Sequence, residues 1–306
     1  MRLMMRFLPI IVVFSMLFGA CSKDSEVVPD NDAPYYGEVS DVVIRNYINR
    51  MFIDLIGREP FDTEMEAELI VLKQAGLSGA VRELLLTRLQ SDTNFIEGDG
   101  SYKNAYYNRI YEQNKARFME AASNAEIEEV KGPIASGILS DSLNGNWEAV
   151  ASAHEQVDKL NAVLASEAEY RNGFLSINEM CARMIDNAVF DQINMNTFNV
   201  VNASFDNLFF RFPTDAEFNA GYTMIEYNQP STIFGQSGQN KFEFARILTS
   251  SNAFYEGLII WTYQTLLARV PSTLETERAM ILLVQDHDLQ RLQRDIMKTD
   301  EYAQFN

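Results

Sequence analysis

The chain has 306 residues, 47% of them hydrophobic, with only 15 glycines and 8 prolines; that is enough apolar material for one large or two moderate domains. Its formal charge of −18 argues against nucleic acid, whose phosphates reward clustered Lys and Arg, and against electrostatic docking on anionic lipid. The plain account of the charge is solubility.

Residues 1–20 read as a secretory signal. Arg2 and Arg6 form a basic start, Phe7 to Phe18 an apolar core, and Gly19-Ala20 the small residues before a cleavage point. The core is short and weakly flanked for a transmembrane helix. Cys21, placed directly after the two small residues, resembles the lipid-modified cysteine of a bacterial lipobox. The resemblance implies a diacylglyceryl group on the thiol and Cys21 as the mature N-terminus. Phe18 stands where that motif most often has Leu, and an ordinary cleaved signal with a chance cysteine is the other reading. Ser22-Lys23-Asp24-Ser25-Glu26 resembles the surface-export signal of Bacteroidota lipoproteins, or is simply a polar tether. Residues 21–40 carry Pro29, Pro34, Gly37 and a run of acids, a composition expected to form a flexible leash rather than core. A lipid anchor would hold such a chain on the outer membrane, on its periplasmic or cell-surface side, without a spanning helix.

From residue 41 onward the pattern is helical. One frame occurs three times without gaps: Leu55 to Glu64, Leu208 to Glu217 and Leu266 to Glu275, each spelling Leu, two residues, Arg, one residue, Pro, three residues, Glu. Repetition of this kind marks a repeat architecture. Counted back from each Arg, positions −10, −6, −3 and −2 are Ile48, Phe52, Leu55 and Ile56; Val201, Phe205, Leu208 and Phe209; Ile259, Tyr263, Leu266 and Leu267. That spacing is one face of an α-helix, with an aromatic at a constant place.

The prolines Pro60, Pro213 and Pro271 predict where each helix stops, because the residue before Pro avoids the α region. Thr214-x-x-Glu217 and Ser272-x-x-Glu275 are capping boxes for the next helix. The first copy has Phe61 in that place, so its cap is expected at Asp62 or Thr63. Arg58, Arg211 and Arg269 at one helix end and Glu64, Glu217 and Glu275 at the next helix start complement the helix dipoles. They are expected to pair as structural clamps across the corner; a catalytic use of the same residue types is the competing reading. Each unit then runs through a further helix to a polar cluster and an aromatic plug: Phe95, Phe254 and Tyr302.

The expected fold is all-α: three related helical modules at 41–95, 176–255 and 256–306, with an inserted helical hairpin at 96–175. Its helices are predicted near 101–130 and 146–169, joined by a long loop signalled by Gly132-Pro133, Gly137 and Asn144-Gly145-Asn146. Tyr102, Tyr106, Tyr107, Tyr111 and Trp147 are either a binding face or a half-buried stripe.

Little chemistry is signalled. Cys181 lies in an apolar-periodic stretch and reads as an inert core thiol. His154-Glu155 lacks the second His of a zinc-protease helix, and Asp286-His287-Asp288 has no second cluster to complete a metal shell. No cofactor or metal is expected, and the chain is read as non-enzymatic.

The stretch from Tyr47 to Pro60, with the frame above and a later Thr299-Asp300-Glu301-Tyr302, resembles helical modules of uncharacterised bacterial surface proteins. It is similar to repeats shared with phycobilisome linker polypeptides and to a domain that accompanies cytochrome c domains in planctomycetes. The resemblance spans about half of the chain. There is no Cys-x-x-Cys-His here, so haem attachment is not implied. What it implies is scaffolding or adhesion: a subunit of an outer-membrane protein complex, or alternatively a glycan- or ligand-binding lipoprotein beside a transporter. A hydrolase with an unrecognised site is the third reading.

Overall fold

A computed structural model describes residues 39–305; the leader, Cys21 and most of the tether lie outside them. The described chain is all-α, with fifteen helices and one two-stranded hairpin among the described residues. No helix among them is long and apolar enough to cross a membrane.

The first corner joins α1 (Asp41–Leu55) to α2 (Asp62–Ala75), and α3 (Gly79–Ser91) follows. The inserted region holds α4 (Tyr102–Met119), α5 (Asn124–Leu143) and α6 (Trp147–Arg171). Two short helices, α7 (Ile177–Ile185) and α8 (Ala188–Asn194), lead to the second corner, α9 (Thr197–Phe209) and α10 (Asp215–Tyr227). The hairpin β1 (Ser231–Ile233) and β2 (Gln236–Gly238) follows, antiparallel with Thr232 opposite Ser237. Then come α11 (Lys241–Thr249), the third corner α12 (Asn252–Leu267) and α13 (Thr273–Asp286), and finally α14 (Leu289–Met297) and α15 (Asp300–Ala303).

The positions marked by the three-fold frame are core, except Leu267, which is half-buried. Ile48, Val201, Ile259, Phe52 and Phe205 have no accessible surface, and the Leu at −3 is buried in every copy. Helices α9 and α12 approach so closely that a Cβ on Gly257 would overlap the Leu208 carbonyl oxygen; only glycine fits that crossing.

Three expectations need correction. Residues 124–143 form one helix, so Gly132, Pro133 and Gly137 lie inside α5 rather than in a loop. The Ser123–Glu126 capping box starts α5, and packing along α6 overrides the breaker signal. The break falls earlier, at Glu120 and Ala121, both with positive φ. At the first corner the helix begins directly after Phe61, which has no hydroxyl; Glu64 still accepts from the Phe61 amide, so half of the box is formed without Asp62 or Thr63. Finally, Phe254 and Tyr302 are buried plugs, but Phe95 is 82% exposed. Its polar cluster ends α3 in a loop, whereas Ser251 and Thr299 cap new helices that carry their aromatics inward.

The two ends of the described chain meet. Helix α15 packs on α1, and α14 packs on α3. Across this seam Gln293 accepts from Tyr106, Arg294 donates to Gln90, and Arg82 pairs with Asp300. Residues 40–305 form one compact unit.

Candidate functional site

The repeated Arg and Glu residues come together in all three copies. Arg58 donates to both carboxylate oxygens of Glu64 at 2.7 and 2.9 Å, Arg211 to Glu217 at 2.8 and 2.7 Å, and Arg269 to Glu275 at 3.0 and 2.7 Å. Each Nη1 also reaches the carbonyl of the next residue, Glu59, Phe212 or Val270. Each Glu accepts the amide of its helix cap, Phe61, Thr214 or Ser272. One carboxylate thus satisfies an orphan amide and a guanidinium fork together.

Two further regularities complete the corner. The residue before each Arg is left-handed: Gly57 at φ 87°, Phe210 at φ 54° and Ala268 at φ 52°. That turn reverses the chain so that the Arg can face the next helix. The constant aromatic lies under the guanidinium: Phe52 at 5.7 Å, Phe205 at 5.3 Å and Tyr263 at 5.2 Å. Its place six residues before Arg is a packing requirement of the clamp.

The clamps differ in their second partner. Arg58 also binds Asp99, and Arg269 also binds Glu301. Hydrogen bonds from Arg211 and Arg269 hold the Glu217 and Glu275 carboxyls down to about 2. Each carboxylate is engaged by a guanidinium fork and a cap amide, which suits these corners to holding structure.

Of the two readings of the tyrosines, a binding face or a half-buried stripe, their burial fits the stripe. Tyr102, Tyr106 and Tyr111 are buried and Tyr107 is half-buried, because α1, α3, α6 and α7 enclose α4. Their hydroxyls bind inward: Tyr102 donates to Glu64, Tyr106 to Gln293 and Tyr111 to Asn124, and Tyr107 accepts from Gln290. Trp147 is exposed at the start of α6, as are Leu139 and Leu143 at the end of α5. Cys181 is buried, its thiol donates to Asn114, and burial pushes its pKa up to about 12. His154 is exposed on α6, and His287 caps α13 with its ring stacked on Tyr255. Among the described residues no group of His, Cys, Asp or Glu converges to hold a metal.

Three features lie elsewhere. Helix α13 buries only Leu283. Leu274, Ile281, Leu282 and Val284 are exposed on it, Ile281 at 65%. Val270, Met280 and Ile281 line a groove with Ile260 of α12, edged by Glu256 and Glu277. A second surface is a chain of rings on α9 and α10: Phe198 meets Phe218 at 5.1 Å, Phe218 meets Tyr222 at 5.9 Å, and Tyr222 meets Tyr227 at 5.7 Å. Its end members Phe198 and Tyr227 are exposed. The third feature is a cleft of about 280 Å³ among α6, α7 and α11. Sequence reading missed all three, because an apolar stripe has the same period whether it meets core, partner or ligand.

Comparison with protein-family models, with curated proteins and with solved structures finds no match to this chain.

Proposed function

We propose that this chain is a non-enzymatic scaffold or accessory subunit of a membrane-protein assembly, held on the outer membrane by lipid on Cys21. The three corners are read as copies of one helical module that builds a rigid body. The observation that carries the proposal is the face of α13. A fourteen-residue helix with one buried side chain and four exposed aliphatic ones gains little from its own fold. Contiguous exposed apolar surface edged by polar groups is the mark of a protein contact. The acids Glu256 and Glu277 at the groove suit a partner with an apolar ridge and basic flanks. Co-purification in mild detergent tests this. The wild type should bring down a stoichiometric membrane partner, and Ile281→Glu should lose it without loss of folding. A wild-type protein recovered alone would overturn the proposal.

The ring chain on α9 and α10 favours a second reading, a glycan-binding lipoprotein. Amide side chains Asn199 and Asn202 accompany it, and Arg211, already clamped, is the only cation between residues 188 and 240. Exposed rings beside amides suit neutral polyhydroxylated chains. Retardation of the protein in gels cast with polysaccharide, abolished by Tyr227→Ala, would support it. Equal mobility in every polysaccharide would remove it.

A further inference from the structure

The cleft among α6, α7 and α11 has the construction of a small-molecule site. Its floor is made of Ala162, Ala182 and Ala245, one alanine from each helix, together with Leu175. Three helices meeting through methyl groups leave space that larger side chains would fill. The space opens to solvent beside Phe242, an aromatic left 49% exposed at the rim.

The charges around it leave one group over. Lys159 is held by Glu155 at 2.8 Å and Asp186 at 3.1 Å. Arg183 is held by Glu169 at 2.7 Å and by the Ala162 carbonyl at 2.9 Å. Glu179 accepts the amide and hydroxyl of Ser176 as part of a helix cap. The remaining lining cation is Arg246. Its guanidinium has no carboxylate partner among the described residues and lies 5.5 Å from the Phe242 ring. A place in the last turn of α11 explains a cation in helix-dipole terms. It does not explain the open apolar space beside that cation, on a chain where acids outnumber Lys and Arg by 43 to 25.

We propose that this cleft binds a small monocarboxylate with an apolar body, the carboxylate on Arg246 and the body on the alanine floor against Phe242. A planar fork without a partner is matched by a carboxylate. An apolar pocket with a few fixed polar groups is the usual form of a ligand site. A second negative charge on the ligand would meet Glu179 and Asp186, so the site takes one carboxylate and not two.

The probe is 4-phenylbutyrate, titrated calorimetrically into the purified full-length protein, with the neutral 4-phenylbutyramide as its shape-matched control. Saturable binding of the acid is expected, with the amide weaker by roughly tenfold or more, the difference a charge-assisted pair contributes. Arg246→Gln, an exposed change that leaves the floor intact, should weaken the acid by a similar factor and leave the amide unaffected. Ala182→Leu should remove both by filling the space, with an unchanged melting temperature for Arg246→Gln as the folding control. Ile281→Glu on α13 should leave binding as in wild type, so this test stands apart from the scaffold proposal. Absence of saturable binding, equal affinity for acid and amide, or wild-type affinity in Arg246→Gln would each overturn the inference.

Discussion

Arg50 donates to the backbone carbonyl of Tyr302 at 2.7 Å, and its guanidinium lies 4.3 Å from the Tyr302 ring. The same tyrosine has no accessible surface, sits edge-on to Tyr47, and donates its hydroxyl to Asp54 at 2.7 Å. One residue near the end of the chain therefore plugs the first helix. Tyr302→Ala should cost about 3–5 kcal/mol, as for other buried large aromatics. Tyr302→Phe should cost about 1–2 kcal/mol, since it only strips Asp54 of a donor. Urea unfolding of both variants checks the order.

The three clamps should not be equivalent. The Arg58 side chain is the least exposed of the three and Arg211 the most. Arg58 also holds Asp99, whereas Arg211 has no second carboxylate among the described residues. Arg58→Ala should cost about 2–3 kcal/mol, because Glu64 and Asp99 lose their counter-charge in a partly buried site. Arg211→Ala should cost about 1 kcal/mol or less, as for exposed pairs. Thermal melts of both variants decide it, and equal losses would mean that the buried setting of the first clamp is irrelevant.

Acid should weaken the corners within a defined window. Glu217 and Glu275 are held at about 2 against an ordinary value of 4.5, chiefly by their arginines. Glu301 moves down for the same reason. At Glu64 burial pushes upward, but Arg58, the Phe61 amide and Tyr102 outweigh it. A carboxyl whose folded value lies below its unfolded one contributes fully above the unfolded value. That contribution is lost as pH falls toward the folded value. Melting temperature should therefore fall between about pH 4.5 and about pH 2. Replacing Glu217 and Glu275 with Gln together should flatten the slope in that window.

The left-handed residue before each Arg gives a prediction of opposite sign in two copies. Ala268 holds φ 52° with a Cβ that disfavours it. Ala268→Gly should stabilise the protein by about 0.5–1 kcal/mol, the relief of that strain less the added freedom of the unfolded chain. Gly57→Ala should destabilise by about 1–2 kcal/mol, since its φ is 87° and a Cβ would stand 3.2 Å from Arg109 Cδ. A matched pair of denaturant curves tests both.

Much of the scaffold is legible in the residues. The apolar offsets before Arg58, Arg211 and Arg269 identify α1, α9 and α12, and Pro plus the capping boxes locate the next helices. The left-handed position is not legible, because Gly57, Phe210 and Ala268 share no side-chain chemistry; only the geometry makes them equivalent. Pro133 misleads because a local breaker signal carries no information about α6, which packs along α5. The tyrosines of α4 are legible as a helix stripe, but the number of helices around that stripe is a tertiary fact. The same limit hides the cleft. Ala162, Ala182 and Ala245 are unremarkable until three helices bring them together.

The closure of Tyr302 onto Tyr47 also orders events in time. Contacts between residues so far apart in sequence form late, since the intervening chain must first be gathered. The pocket on α1 therefore stays open until α15 has been made and has docked. A chain that has made α1 but not yet α15 thus carries an unfinished apolar seam, and α15 acts as its fastener.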